Sequence, residues 1–375
     1  MGRERVDLIH REILQLCLLI ATAIAAFFLT RAVAASNHNL SLRDGSEWYE
    51  RGQQALHTDR VDDAIDSFRR AAVRNRGERR YMLALARALE RKGDTEAARA
   101  SLSALRESAP EDAEINLELA RLAVQRRDAT EALRFYHSAL YAPWPLEQTA
   151  ARRQVRFELI QFLLTDHQTS RALSELLALN SDLPDDVAIH VKVARLFAQA
   201  GDDRHALDQY EIALHIAPDN GDSLVGAGLA AFQLGEYALA RTYLRHASGR
   251  DPNIRSTSEL VDLILTNDPL ASRIGANARG HRLVSGFSYA EQRLNRCLEQ
   301  RARGEASQEE VELQREARMF EAALRPSAVR DQDTVESGVE LVARIERHVA
   351  QACPPETPLD RALILIGRLH GADGR

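Results

Sequence analysis

Three cysteines, Cys17, Cys297 and Cys353, and twelve histidines are the side chains best suited to metal binding, redox work or nucleophilic attack. The histidines are scattered, with no pair at ligand spacing, so no metal site is expected. The sequence has no Walker-type loop, no G-x-S-x-G elbow and no H-E-x-x-H motif. Gly226-Ala227-Gly228 has the look of a nucleotide loop, but a phosphate-binding loop needs a strand, a turn and a helix start. This triplet lies inside a helical pattern, where small residues serve packing. No feature groups Ser, His and Asp residues, so no catalytic residue, no cofactor and no enzymatic activity are expected. Cys17 sits inside an apolar run instead of after it, which excludes a lipoprotein signal. Cys297 and Cys353 admit two readings. Outside the cytoplasm they pair in a disulfide, worth about 4 kcal/mol on loop closure. Otherwise they pack as small apolar thiols.

Composition narrows the frame that positions these residues. Aromatics are only 5% of the chain, and Ala and Leu dominate the apolar set, which favours helix over strand. A net charge of -6 gives no nucleic-acid footprint. The helices recur. Ala64, Ala98 and Ala132 are spaced by 34 residues; after a step of 40 to Ala172, the same spacing resumes at Ala206 and Ala240. Four residues after each comes a larger apolar residue: Phe68, Leu102, Tyr136, Leu176, Tyr210 and Leu244. A second small column precedes it at Gly52, Ala86, Ala120, Ala194 and Gly228, with Ile160 the misfit. Pro110, Pro184, Pro218 and Pro252 punctuate the repeats, and Arg76 and Trp144 stand at the same position in the other two. Antiparallel helices approach closely only where small side chains face each other, and the larger residue one turn along fills the space beside the contact. Gly93-Asp94, Gly201-Asp202 and Gly235-Glu236 supply the turns within pairs.

These residues resemble the tetratricopeptide repeat family over about residues 45–254. Trp48, Gly52, Ala64, Phe68 and Ala71 fit its pattern in the first repeat. Ala194, Phe197, Gly201, Ala206, Tyr210, Ala213 and Pro218 fit it in the fifth. The expected fold is therefore all-α: a right-handed solenoid of helix-turn-helix repeats. The repeats are assigned to 45–78, 79–112, 113–146, 153–186, 187–220 and 221–254, with a capping helix over 255–267 completing residues 45–267. Six extra residues near Pro145 to Arg152 precede the fourth repeat, so its packing departs from the rest. The family's two-carboxylate clamp, which pairs Lys or Arg with Asn in adjacent repeats, has no match here.

The resemblance implies a concave groove built from the first helix of each pair, able to take a segment of a protein partner. One residue after the small column, those helices carry Gln53, Arg87, Arg121, Gln161 and Arg195, with Arg91 one turn beyond Arg87. Such a stripe suits an acidic peptide, because each guanidinium can make charge-assisted contacts. The bland alternative is a solvated face on an arginine-rich protein. Tyr49, Leu83 and Leu117 are the apolar residues the groove offers if the arginines do not recognise the partner.

Residues flanking the repeats set location. After a flank at 1–12, residues 13–30 run for 18 positions without a charge, roughly 27 Å of helix and close to a bilayer core. They are expected to be a transmembrane anchor with a cytoplasmic N-terminus. Ala32-Val33-Ala34 offers the alternative of a cleaved signal. As an anchor it leaves residues 31–44 as a tether, and as anchor or cleaved signal it places the repeats outside the cytoplasm, on the periplasmic side in a bacterium; the third reading is a buried soluble helix. Residues 270–375 are helical without repeats. Ser307-Gln308-Glu309-Glu310, Asp333-Thr334-Val335-Glu336 and Thr357-Pro358-Leu359-Asp360 read as helix starts. The last helix, Leu359 to Leu369, is apolar enough to need burial, on its own domain or on a partner. The leading expectation is a membrane-tethered scaffold. The alternatives are an envelope protein that self-associates through its C-terminal helices, or an enzyme subunit with a docking solenoid.

Overall fold

The computed structural model describes residues 22–24, 26–31, 42–75, 77–181, 183–247, 252–300, 307–325, 331–353 and 357–371. Helices are the only regular structure among them. They group into two compact units that divide between His167 and Gln168. The division falls inside the fourth repeat, and the residues after 270 fold with the later repeats, so the units do not follow the boundary near 267–270 expected from sequence.

The first unit contains α1 (42–57), α2 (Val61–Arg74), α3 (Arg79–Lys92), α4 (Thr95–Ser108), α5 (Ala113–Gln125), α6 (Ala129–Leu140) and α7 (Thr149–Thr165). The second contains α8 (Thr169–Asn180), α9 (Val187–Gln199), α10 (Asp203–Ile216), α11 (Gly221–Gln233), α12 (Tyr237–His246) and α13 (Pro252–Asn267). It continues with α14 (Ala276–Gln300), α15 (Gln308–Ala323), α16 (Gln332–Ala352) and α17 (Pro358–Leu369).

The small columns sit where helices cross. Ala64, Ala98, Ala132, Ala172, Ala206 and Ala240 are all buried. A Cβ at Gly52 would come within 2.5 Å of the Phe68 ring, and one at Gly228 within 2.6 Å of Leu244. Only glycine permits those contacts. Helix starts repeat with the same period. Asp112 caps α5, Asp186 caps α9 and Asn220 caps α11, each accepting from backbone N–H groups of the first turn. Asp94, Asp128 and Asp202 do the same for α4, α6 and α10. Each cap is worth about 1 kcal/mol.

The extra residues before the fourth repeat form a short 3-10 turn, Leu146–Gln148, and the first turn of α7. Trp144 takes over from the proline found there in other repeats. Its indole N–H donates to the Ala139 carbonyl at 2.9 Å, and Arg152 donates to that of Leu140 at 3.2 Å. Both satisfy carbonyls left open at the end of α6. Ile160 is fully buried despite its size. Pro252 opens α13 instead of closing the sixth repeat, which moves the capping helix start from 255 to 252.

The C-terminal helices wrap back onto the later repeats. α17 packs against α13 and α16, and α14 against α16. Leu369 lies over Gly235 in the turn between α11 and α12, and His370 Nε2 is 2.9 Å from Asp268. Ala362, Leu363 and Ile366 are buried, so the apolar last helix docks within its own unit. The capping boxes at Ser307–Glu310 and Thr357–Asp360 are formed. α16 is capped by Asp331 instead of Asp333, because Asp331 accepts from Thr334 N–H while Asp333 already lies in the first turn.

The apolar run at 13–30 falls largely outside the described residues, as do Cys17 and the Ala32–Ala34 cleavage site. Its described part, 22–24 and 26–30, is helical, with Ile24, Phe27, Phe28 and Leu29 exposed. Among the described residues no helix is long and apolar enough to cross a membrane.

Candidate peptide-binding groove

In the first unit, α1, α3, α5 and α7 are the first helices of their pairs and carry the residues expected to line a groove. The structure gives each arginine an internal carboxylate. Arg87 donates through Nε to Glu118 at 2.7 Å and through Nη2 to Glu114 at 2.8 Å. Arg121 grips Glu158 with two parallel bonds of 2.9 and 2.8 Å, and its Nη1 reaches Glu118 at 3.1 Å. Arg91 donates to Asp59 at 2.8 Å. The result is a ladder, Arg87–Glu118–Arg121–Glu158, running from α3 through α5 to α7. Glu118 is only 3% exposed, whereas Arg87 and Arg121 remain 46% and 38% exposed. In the second unit Arg195 pairs with Asp222 at 2.9 Å and hydrogen-bonds Tyr210.

The pairing follows a rule that spacing alone contained. Glu118 stands 31 residues after Arg87, and Glu158 stands 37 after Arg121. The second interval is the first plus the six-residue insertion. An arginine after the small column of one repeat therefore meets a carboxylate before the small column of the next. At the equivalent place opposite Arg195 the chain has Gly226, whose missing side chain admits the Tyr210 ring. Arg195 turns to Asp222, one helical turn earlier, instead.

Gln53 is half-buried on α1 and Gln161 is exposed on α7. Gln161 borders an open cleft of about 450 Å³ between α5, α6 and α7, lined also by Val124, Tyr136, Glu158, Phe162 and Thr165. Tyr136 and Phe162 lie with ring centroids 5.9 Å apart. Burial and then the Glu158 carboxylate push the Tyr136 hydroxyl up to about 12, so it stays protonated. Of the cleft residues, Tyr136 was legible as a member of a packing column and Gln161 as a groove residue, but the cleft itself was not, because it depends on the irregular path into α7. Of the other apolar residues expected in the groove, Leu83 is buried and Leu117 half-buried, and Tyr49 is held between Phe68 and Tyr81. Burial and the neighbouring Glu118 raise Glu90 above the ordinary carboxylate range, and Gln125 donates to it.

Cys297 of α14 and Cys353 at the end of α16 are joined by a disulfide. Among the described residues no group of His, Cys, Asp or Glu is arranged to hold a metal ion.

Residues 83–147 and 194–253 match the tetratricopeptide repeat family model. The chain carries tetratricopeptide repeats in both units. Solved structures of similar fold include YrrB, described as a TPR protein with an unusual peptide-binding site. It is 19% identical, with 53% of this chain and 97% of that chain covered and a TM-score of 0.40. A tetratricopeptide repeat protein from Parabacteroides merdae is 13% identical, covering 65% and 92% with a TM-score of 0.39. Pseudomonas aeruginosa pilF is 17% identical, covering 65% and 97% with a TM-score of 0.34. Likenesses this distant say nothing of function. No curated protein sequence matches.

Proposed function

We propose that the chain is a non-catalytic scaffold that holds a segment of another protein against the first helices of its repeats. The observation that carries this is the open cleft beside Gln161. Val124, Ala129, Tyr136 and Phe162 give it an apolar wall, and the Gln161 amide and the charged Arg127, Glu158 and Asp166 border it. A partner's apolar side chain would enter between Val124, Tyr136 and Phe162, while Gln161 hydrogen-bonds its backbone. The arginine stripe enters this reading differently from the expectation of an acidic peptide. Each guanidinium already has a carboxylate, so an incoming acid gains only by displacing one. Specificity then rests on shape and burial, and the ladder fixes the spacing of the helices that form the cleft.

The membrane tether at 13–30 and placement of the repeats outside the cytoplasm complete the proposal. The charge-free run supports the first. The Cys297–Cys353 bond supports the second, since disulfides persist in oxidising compartments. Self-association through the last helix loses its motive, because the apolar face of α17 is used within its own unit.

The test is capture of the partner from detergent-solubilised membranes, followed by affinity measurements with Val124→Asp. Val124 is exposed, so its replacement leaves the fold intact while placing a charge in the cleft. Affinity is expected to drop at least tenfold with an unchanged melting temperature. Unaltered affinity would remove the cleft from recognition.

A further inference from the structure

The C-terminal helices enclose a group of charges that the scaffold reading does not use. Arg293 of α14 reaches three neighbours. Its Nη1 donates to Glu346 of α16, its Nη2 to the Cys353 carbonyl at 2.9 Å, and its Nε lies 3.5 Å from Asp360 of α17. Both carboxylates are buried, Glu346 completely, and Arg293 is 8% exposed. One cation thus faces two acids away from water. If both acids were ionised the site would carry a net negative charge in a medium that screens it poorly.

The hydrogen bonds decide which acid takes a proton. Asp360 is well supplied as an anion. Tyr289 O–H donates to its Oδ1 at 2.6 Å, and Thr357 N–H donates to its Oδ2 at 3.1 Å. Burial and the bond to Asp360 raise the Tyr289 hydroxyl, which keeps it a donor. Glu346 has the Arg293 bond on one oxygen, while its Oε1 is buried without a hydrogen-bond partner. The charged groups acting on Glu346 are Arg293 from α14 and Asp360 from α17. His348, two residues on, turns instead to Glu309 and Glu310 of α15.

We propose that Arg293, Glu346 and Asp360 form a proton-operated latch, in which a proton on Glu346 holds the terminal helix α17 in its dock and loss of that proton loosens it. Docking brings Asp360 beside Glu346 and shuts out water. Undocking removes that second carboxylate and leaves Glu346 and Arg293 as an ordinary pair, so the proton departs as the helix leaves. Burial raises Glu346 most, Arg293 opposes the rise and Asp360 adds to it, leaving Glu346 pushed up to about 7 in the docked form. The docked form therefore binds more protons than the open form between the ordinary carboxylate range and about 7. Across that window the docking equilibrium weakens as pH rises, by up to about tenfold per pH unit. Outside it the dependence is flat.

The experiment is hydrogen exchange of the α17 amides in the full chain, with its disulfide intact, from pH 5 to 8 and corrected for intrinsic exchange. Protection of residues 358–369 is expected to fall through the window in the parent and to be level in Glu346→Gln, which carries the neutral form at every pH. Level protection in the parent, or the same slope in Glu346→Gln, would overturn the latch. A second measurement covers a variant that fails to fold. Carbon-detected NMR titration of Glu346 in the parent chain should show it ionising near neutrality. Ionisation in the ordinary carboxylate range would equally overturn the proposal.

Discussion

At residues 59, 93, 127, 167, 201 and 235 the chain passes between consecutive helices with positive φ. Gly93, Gly201 and Gly235 take that conformation freely, whereas Asp59, Arg127 and His167 adopt it at φ of 58°, 58° and 57°. A side chain there crowds the carbonyl and costs about 1 kcal/mol or more. Replacing Arg127 or His167 with Gly removes that strain and adds some flexibility to the unfolded chain. Each change is expected to stabilise by about 0.5–1 kcal/mol, read as a melting temperature higher by a few degrees. A lower melting temperature would mean that side-chain contacts at these turns outweigh the strain.

Between helices, the ladder in the first unit carries a consequence that packing columns alone conceal. Arg87 and Arg121 belong to no column, so by sequence their replacement leaves the fold intact. The structure buries Glu118 between them. Changing both to Ala leaves a buried carboxylate without a cation and is expected to destabilise by about 2 kcal/mol. That is below the usual loss for a broken buried pair because both guanidiniums are partly solvated. Adding Glu118→Gln should restore most of the loss. Chemical denaturation of the three proteins measures it, and a double mutant as stable as the parent would reduce the ladder to surface pairing. The small columns were legible because a close helix crossing leaves a local and periodic trace. The ladder left a trace too, in the 31-residue offset, but its meaning requires knowing which faces of successive helices meet.

In the chain as a whole, α17 covers α13, so the end of the repeat array in the second unit is closed by a segment about a hundred residues further along. Ending the chain at residue 357 removes the burial of Leu363 and Ile366, together worth about 3–6 kcal/mol. Such a chain is expected to melt at a lower temperature and to lose exchange protection in α13. A truncated chain that melts like the full one would make α17 an accessory rather than a cap. For the same reason a fragment stopping at 267 is a poor test of the repeats, since it bares α13.

The sequence by itself determined the helical repeats, their register, their close crossings and the turns within them. Those properties depend on residues within one or two helices, so they recur in the sequence wherever they recur in space. It marked Asp360 only as part of a helix start, left Arg293 and Glu346 unmarked, and gave Cys297 and Cys353 two readings. Tertiary structure alone decided that the compact units part inside the fourth repeat and that the groove arginines are already paired. It also placed an open cleft beside Gln161 and gathered one arginine and two carboxylates under α17. Each of these depends on side chains from separate helices meeting at a few ångströms, and no local period records a distance of that kind.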